Sequence, residues 1–390
     1  MRLYKGCFIG GLLLGIACDA VEPGGIAEAD PPVGAGEENF YMYRGGPSLV
    51  GLAPGKLPDK LELLWSFKTE FEVKSSVAIV GDKAVFGSGD EKVYCLEKNT
   101  GKKIWDFKTE GEVESSPLVL DGVVYVGSGD GSLYALKLGT GEKLWTYETD
   151  DRILGAANHY TGKDGGLRIV VGSYDFFIHC VDADTGKVIW KYESENFING
   201  TPCIMANKAV VGGCDEIVHV VDLENGKLIN GISMGAYIAG SLAGKDGHIY
   251  VGHYGEVVQC VDIVSGAVIW TFKDRSFPFY ATPALTDDVV VIGGRDKRVH
   301  CLDRATGEEL WHFKTRGAID SSAVISGDKV VVGSDDGFLY MLSLKTGEEI
   351  WSFEIGEPVQ GSPSVAGGHI YIGGLDGSVY AFGLKKETDA

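Results

Sequence analysis

From residue 61 onward, apolar residues come in bursts of four to six, separated by Asp-Gly or Thr-Gly pairs. One stretch shows the pattern: Val123-Val124-Tyr125-Val126-Gly127, the turn Asp130-Gly131, Leu133-Tyr134-Ala135-Leu136, then Thr140-Gly141 ahead of Leu144-Trp145. Short runs rich in Val, Tyr, Leu and Ile predict strands, and the pairs between them supply the positive φ that tight hairpins need. Each unit holds four such strands. The units repeat with the tryptophans: Trp65, Trp105, Trp145, Trp190, Trp270, Trp311 and Trp351 lie at spacings of 40, 40, 45, 80, 41 and 40. The gap of 80 centres on Asn230, in Gly226-Lys227-Leu228-Ile229-Asn230, where the surrounding pattern is intact, so there are eight units.

Eight copies of a four-stranded unit at a period near 40 predict an all-β fold, an eight-bladed β-propeller of four-stranded antiparallel blades. A small-residue triplet opens each unit and fits the innermost strand. Its first position reads Ser75, Ser115, Ala156, Gly200, Gly240, Ala281, Ser321 and Gly361, all small, as crowding around one channel requires. The last unit runs out after Ala381-Phe382-Gly383-Leu384 without a Trp, while Leu63-Leu64-Trp65-Ser66-Phe67 has no blade before it. The N-terminal strand is therefore expected to complete the last blade and remove the open edges.

The stretch from Ala135 through Thr140-Gly141 to Trp145 resembles the tryptophan-docking motif of PQQ-type propeller repeats. It recurs from Cys180 to Trp190, from Cys301 to Trp311 and from Met341 to Trp351, with looser copies ending at Trp105, Asn230 and Trp270, and the resemblance covers about 330 of the 390 residues. It implies that each Trp stacks between neighbouring blades and docks on the motif's first residue and its Gly. Quinoprotein dehydrogenases of this family hold PQQ with Ca²⁺, an adjacent Cys-Cys disulfide and a catalytic Asp. This chain has no Cys-Cys pair and no Cys-x-x-Cys-His. The resemblance thus implies a non-catalytic binding or scaffold propeller without cofactor or metal, and the alternative is a PQQ-dependent quinoprotein with reduced or lost activity. The BamB-like branch of exported lipoproteins is similar in length, blade number, acidic balance and N-terminal signal. A wider pool of exported repeat proteins is similar also in a segment like Tyr43-Arg44-Gly45-Gly46-Pro47, and the balance leans toward that pool.

Charge and termini sharpen the setting. Lys plus Arg total 35 and Asp plus Glu total 55, a formal charge of −20, which repels phosphate backbones and sets nucleic acid aside as a partner. Arg2, Lys5 and the apolar run over residues 8–17 form a targeting segment. It ends in Gly15-Ile16-Ala17-Cys18, which resembles a lipobox whose Cys18 is acylated after cleavage, although Leu14 sits four residues before the Cys instead of three. Secretory cleavage after Ala27-Glu28-Ala29 stays open. The expected domains are a signal peptide at 1–18, a flexible acidic tether and N-terminal extension at 19–60, and the propeller at 61–388. The expected setting is an exported monomer, periplasmic, lipid-anchored to a membrane or secreted, with protein partners in the envelope.

Several constellations look chemical and have plainer readings. Cys95, Cys180, Cys260 and Cys301 share the first position of the docking motif, where Ala135 and Ala381 also stand, and are expected to be small core residues. Cys203 and Cys214 lie on adjacent strands of one unit in near-diagonal register, so a bond between them stays open. Asp90, Asp130, Asp175, Asp215, Asp296, Asp336 and Asp376 recur at one turn position, with Gly255 in the eighth copy, and are expected to cap turn N–H groups instead of ringing a Ca²⁺. The histidines show no ligand spacing.

In near-identical units, positions whose chemistry differs from copy to copy are free for a partner. The position before the triplet reads Lys74, Glu114, Gly155, Asn199, Ala239, Tyr280, Asp320 and Gln360, behind an apolar residue in every copy (Val73, Val113, Leu154, Ile198, Ile238, Phe279, Ile319, Val359). Alternation places the two on opposite faces, so the variable residue is expected to line the mouth of the channel. Glu72, Glu112, Phe197 and Tyr237, two residues earlier, are expected to extend that rim. Five extra residues around Tyr160-Thr161-Gly162-Lys163-Asp164 form a second contact candidate.

Overall fold

The structure, a computed structural model, describes residues 38–385. The targeting segment, Cys18 and most of the tether lie outside these residues. Eight sheets form the eight blades of a propeller, seven of four strands and one of five. Blade 1 runs outward through Ala78–Val80, Lys83–Ser88, Lys92–Glu97 and Lys103–Lys108, each pair antiparallel. Blade 8 takes three strands from the C-terminal end and is completed by Glu62–Lys68. That strand runs antiparallel to Ser378–Gly383, with Leu63 opposite Phe382 and Trp65 opposite Ala381. The ring closes as the unit count requires.

The middle strands are buried on both faces because every blade lies between two others, whereas the outermost strand alternates. Lys83–Ser88 is buried from Ala84 to Ser88, while Lys103–Lys108 buries Trp105 alone. Two contacts set the blade spacing. The apolar residue before each mouth position packs on a glycine of the preceding blade, where a Cβ on Gly87 would lie 2.4 Å from Val113. Each Trp lies across the next blade: Trp65 donates its indole N–H to the Lys98 carbonyl at 2.9 Å, and a Cβ on Gly101 would be 2.6 Å from its ring. Between blades 4 and 5, Asn230 makes only the polar half of this contact, donating to Ile263 at 3.3 Å, and no ring covers Gly266.

The crowding around the channel is as expected, with the triplet lying just ahead of the innermost strand instead of within it. A Cβ on Gly240 would fall 2.0 Å from the Tyr280 carbonyl. In blade 3 the expected register is wrong by one residue. Ile153, not Leu154, packs on Gly127, at 2.3 Å from its would-be Cβ, and the Ala156 N–H donates to Thr201 as that of Ser76 donates to Ser116. The crowded first position is therefore Gly155, and Leu154 faces the mouth. Gly and Ala are both small enough for the crowded position, so only packing decides between them.

Cys95, Cys180, Cys260 and Cys301 are buried opposite the Trp of their own blade, and burial pushes the Cys95 thiol up to about 12. Cys203 pairs with Val210 and its thiol meets the Ser48 carbonyl, while Cys214 accepts from the Asn199 amide; both are free thiols. The blade-3 insertion forms the turn after Asn158–Thr161, tied down by Arg168 to Asp164 and to Asp182 at 2.8 Å.

Residues 38–58, for which the repeats offer no template, form a plug across one end of the channel. The extended backbone serves the free edges of innermost strands in turn. The N–H groups of Ile79, Val119, Ile204, Gly244, Leu285 and Ile325 donate to carbonyls of this segment at 2.8–2.9 Å, and Leu52–Ala53 joins blade 7 as a parallel strand. Phe40, Tyr41, Met42 and Leu49 are buried beneath it. Arg44 is buried too, at φ 63°, with its guanidinium donating to the carbonyls of Pro283, Ser322 and Ala323. Gly51 has no Cβ because that atom would stand 1.8 Å from the Arg44 Nη2. Burial pulls the Arg44 pKa down to about 10, which leaves it charged at neutral pH.

Candidate functional site

The plug leaves the opposite end of the channel as a cavity of about 170 Å³. Its floor is the Tyr43 hydroxyl, bonded to Thr282 at 3.0 Å and Ser322 at 3.1 Å. Above the floor runs a belt of hydroxyl residues that bind blade to blade: the N–H groups of Ser76, Thr201, Thr282 and Ser322 each donate to the hydroxyl of the next blade at 2.8–3.1 Å. Lys74, Glu114, Leu154, Asn199, Ala239 and Tyr280 line the cavity above the belt.

The structure thus gathers Lys74, Glu114, Asn199 and Tyr280 at the mouth, as their variability suggested. Asp320 and Gln360 do not line the cavity. Asp320 holds Arg295 by two hydrogen bonds, 2.9 and 2.7 Å, and the Gln360 amide donates to Asp335 at 3.1 Å. Glu72 sits on the rim and pairs with Lys74 at 2.6 Å, while Glu114 meets the same ammonium at 2.9 Å. Burial works against that ammonium, yet the two carboxylates outweigh it and raise its pKa. Glu112, Phe197 and Tyr237 are exposed on the rim, the last two at 36% and 51%. The insertion around Tyr160 lies apart: its hairpin is equivalent to the one at Gly81, which bonds Asn39 of the plug, so it faces away from the mouth.

A second rung of variable residues went unread in the sequence. The hairpin joining the second and third strands of each blade places one residue against the rim residue of that blade's own entry segment, through an N–H bond to its carbonyl. Tyr254 donates so to Tyr237 at 3.0 Å, Tyr174 to Arg152 at 2.9 Å and Asp335 to Ala318 at 2.9 Å. Tyr174 packs on Phe197 at 4.8 Å between ring centres, and Tyr254 on Tyr280 at 4.8 Å. The guanidinium of Arg295 lies 4.2 Å from the Tyr280 ring centre, and that of Arg152 lies 4.7 Å from Tyr174. The test that found the first rung, chemistry differing between copies, would have found this one, since the equivalent residue is Gly in blades 1 and 2, Tyr174 in blade 3, Cys214 in blade 4 and Arg295 in blade 6.

The recurrent turn aspartates are engaged by their own hairpins and by the segment that leads into the blade. Asp130 accepts from the N–H groups of Glu110 and Ser132 at 2.9 Å and from the Tyr134 hydroxyl at 2.7 Å; burial and then this carboxylate push the Tyr134 phenol up to about 12. In blades 3, 4 and 6 a buried His takes the place of the Tyr, as His300 does against Asp296 at 3.0 Å. Asp274 draws close to Asp296 and His300, but Arg298 holds it at 2.6 Å.

Comparison places this architecture. A family model described as outer membrane protein assembly factor BamB matches residues 59–163, 157–229, 214–317 and 295–388. The chain belongs to that BamB family. Among curated proteins none matches it. Among solved structures it is similar to BamB from Moraxella catarrhalis, at 21% identity and TM-score 0.70 over 85% of this chain and 100% of that one. It is also similar to the quinohemoprotein alcohol dehydrogenase from Comamonas testosteroni, at 15% identity and TM-score 0.76 over 90% and 82%. At these identities the likeness is one of fold.

Fit to PQQ can be tested on the mouth itself. The group is a planar tricarboxylate quinone, and the cavity of about 170 Å³ is below the roughly 300 Å³ at which pockets that enclose small ligands begin. The one cation on its lining, Lys74, is already held by two carboxylates. These residues do not fit the group.

Proposed function

We propose that this protein is an exported, non-catalytic propeller that binds a partner protein in the cell envelope across its channel mouth. The observation that carries the reading is the two-rung rim: Phe197, Tyr237 and Tyr254 keep 36%, 51% and 48% of their surface in water beside a cavity sized for one side chain. Exposed aromatics around a depression are how proteins present anchor points to one another. Membership in the BamB family supports an envelope setting, and a role in the assembly of outer-membrane proteins is the nearest instance. Lipidation at Cys18 would hold the body at a membrane through residues 19–37; among the described residues no helix is long and apolar enough to cross one.

A photo-reactive residue at Phe197 tests the proposal in envelope extracts, against the same residue at Lys143 on the outer edge of blade 2. A protein captured at Phe197 only, and lost in Tyr280→Ala with Asp320→Ala, is the expected result; equal capture at both positions overturns it. The alternative reading, a quinoprotein with reduced activity, predicts dye-linked alcohol oxidation on adding PQQ and Ca²⁺, and turnover there would displace the scaffold reading.

A further inference from the structure

The mouth has two unlike halves. Blades 3 to 6 contribute an aromatic arc, in which Tyr174 meets Phe197 and Tyr254 meets both Tyr237 and Tyr280. Blades 7, 1 and 2 contribute an acidic arc, where Asp320, Asp335, Glu72, Glu112 and Glu114 stand against Lys74 and Arg295, and blade 8 between them adds the neutral Gln360. The join between the arcs shows what chemistry they accept together: Arg295 lies over the Tyr280 face while Asp320 closes both arms of its fork. Arg152 repeats the stacking on Tyr174. A guanidinium on an aromatic face with a carboxylate at its edge combines cation–π attraction with bidentate hydrogen bonding.

Resting on the reading that the mouth binds a protein, we infer that its occupant is an extended partner segment that inserts an arginine or lysine between the two arcs. Asp335 is the group left to receive it. That carboxylate is half-buried, takes one side-chain hydrogen bond, from Gln360, and forms no ion pair within 4 Å among the described residues; Arg295, bound to Asp320, acts on it only through space. Burial and the nearby Asp320 raise its pKa against the opposing pull of the Gln360 amide and Arg295, a balance that an incoming cation shifts toward the charged form. The cavity admits one long side chain and no folded element, and Asp335 stands outside its lining, on the second rung of the rim, where it meets the cationic head of a side chain crossing the mouth. Charge complementarity on a body of net charge −20 favours a basic segment and steers its approach. A neutral glycan fits less well, because guanidinium groups already lie over the faces of Tyr280 and Tyr174 that sugar rings would need.

The test is fluorescence anisotropy of three labelled probes on the whole chain: a short Arg-Ser repeat peptide, its Glu-Ser counterpart and a neutral oligosaccharide, each at low and high salt. The Arg peptide is expected to bind, to weaken with salt, and to lose about tenfold or more in affinity in Asp335→Asn with Glu114→Gln, the scale of one charge-assisted contact. Tyr254→Ala should weaken it as well. Asp184→Asn with Glu308→Gln removes the same charge from exposed turns of the opposite face and should leave binding unchanged, which separates the mouth from the overall charge. Equal loss in both pairs, or binding of the Glu peptide or the saccharide at least as tight, overturns the inference. If Phe197 still captures an envelope protein while the Arg peptide fails, the cationic occupant falls and the docking mouth stands; if both fail, both fall.

Discussion

Replacing Arg44 by Met keeps most of the apolar stem and deletes the guanidinium that joins blades 6 and 7 to the plug. Three carbonyls, those of Pro283, Ser322 and Ala323, lose their charged donor inside a site that is 1% exposed. Each buried acceptor left without a partner costs about 1–3 kcal/mol. Against this, the wild-type ion was itself costly to desolvate, as its lowered pKa shows, so the net loss is smaller than three such terms. We expect about 3–5 kcal/mol, the range for breaking a buried charged network from one side. Lys in place of Arg should recover little, because one ammonium cannot span carbonyls on two blades as the planar fork does. The loss should first appear locally, as release of residues 38–58, since their contacts with the blades are separate from the strand pairing that closes the ring. The assay is denaturant unfolding by tryptophan fluorescence, together with amide exchange at Val119 and Ile325, whose N–H groups donate to Tyr41 and Gly51. A change under about 1 kcal/mol with full protection at both amides would refute the claim that Arg44 fastens the plug.

Three further outcomes follow from the packing. Asn230→Trp should raise stability by about 1 kcal/mol in the same unfolding assay, because a ring would then cover Gly266 as rings cover the equivalent glycines elsewhere, and Ile232, which leans toward that space at 3.5 Å, need move only slightly. Gly240→Ala should cost about 1–3 kcal/mol, since the new methyl would stand 2.0 Å from the Tyr280 carbonyl, and the same shift should weaken any ligand that uses the Tyr280 ring. The third concerns His300, whose two ring nitrogens face Asp296 at 3.0 Å and Glu309 at 2.7 Å, with His312 on the far oxygen of Glu309 and Asp274 and Arg298 beside Asp296. Burial opposes its charge, but the two carboxylates prevail and raise its pKa above 6.5. The folded value being the higher one, this contribution is complete below pH 6.5 and is lost as pH rises through the folded pKa. Stability measured from pH 6 upward should therefore decline more in the wild type than in His300→Gln, and parallel curves would count against the assignment.

How far the sequence could be read depended on repetition. Strand, turn and blade number are local properties written eight times, so alternation and the Trp spacing sufficed to close the ring, down to Trp65 beside Ala381. The first rung of the mouth was legible for the same reason: constraint makes copies alike, and Lys74, Glu114, Asn199 and Tyr280 stood out by differing. Blade 3 slipped by one residue because Gly155 and Ala156 are both small, and only Ile153 packing on Gly127 separates the two registers. The second rung needed the fold, since hairpin geometry carries Tyr254 to Tyr280 from 26 positions away. The plug needed it most. Residues 38–58 occur once, so no copy exposes their constraints, and Arg44 bonds carbonyls 239 to 279 positions distant. A buried guanidinium held through its two terminal nitrogens by backbone carbonyls leaves no partner side chain in the sequence to mark it; only the arrangement of the blades supplies those oxygens.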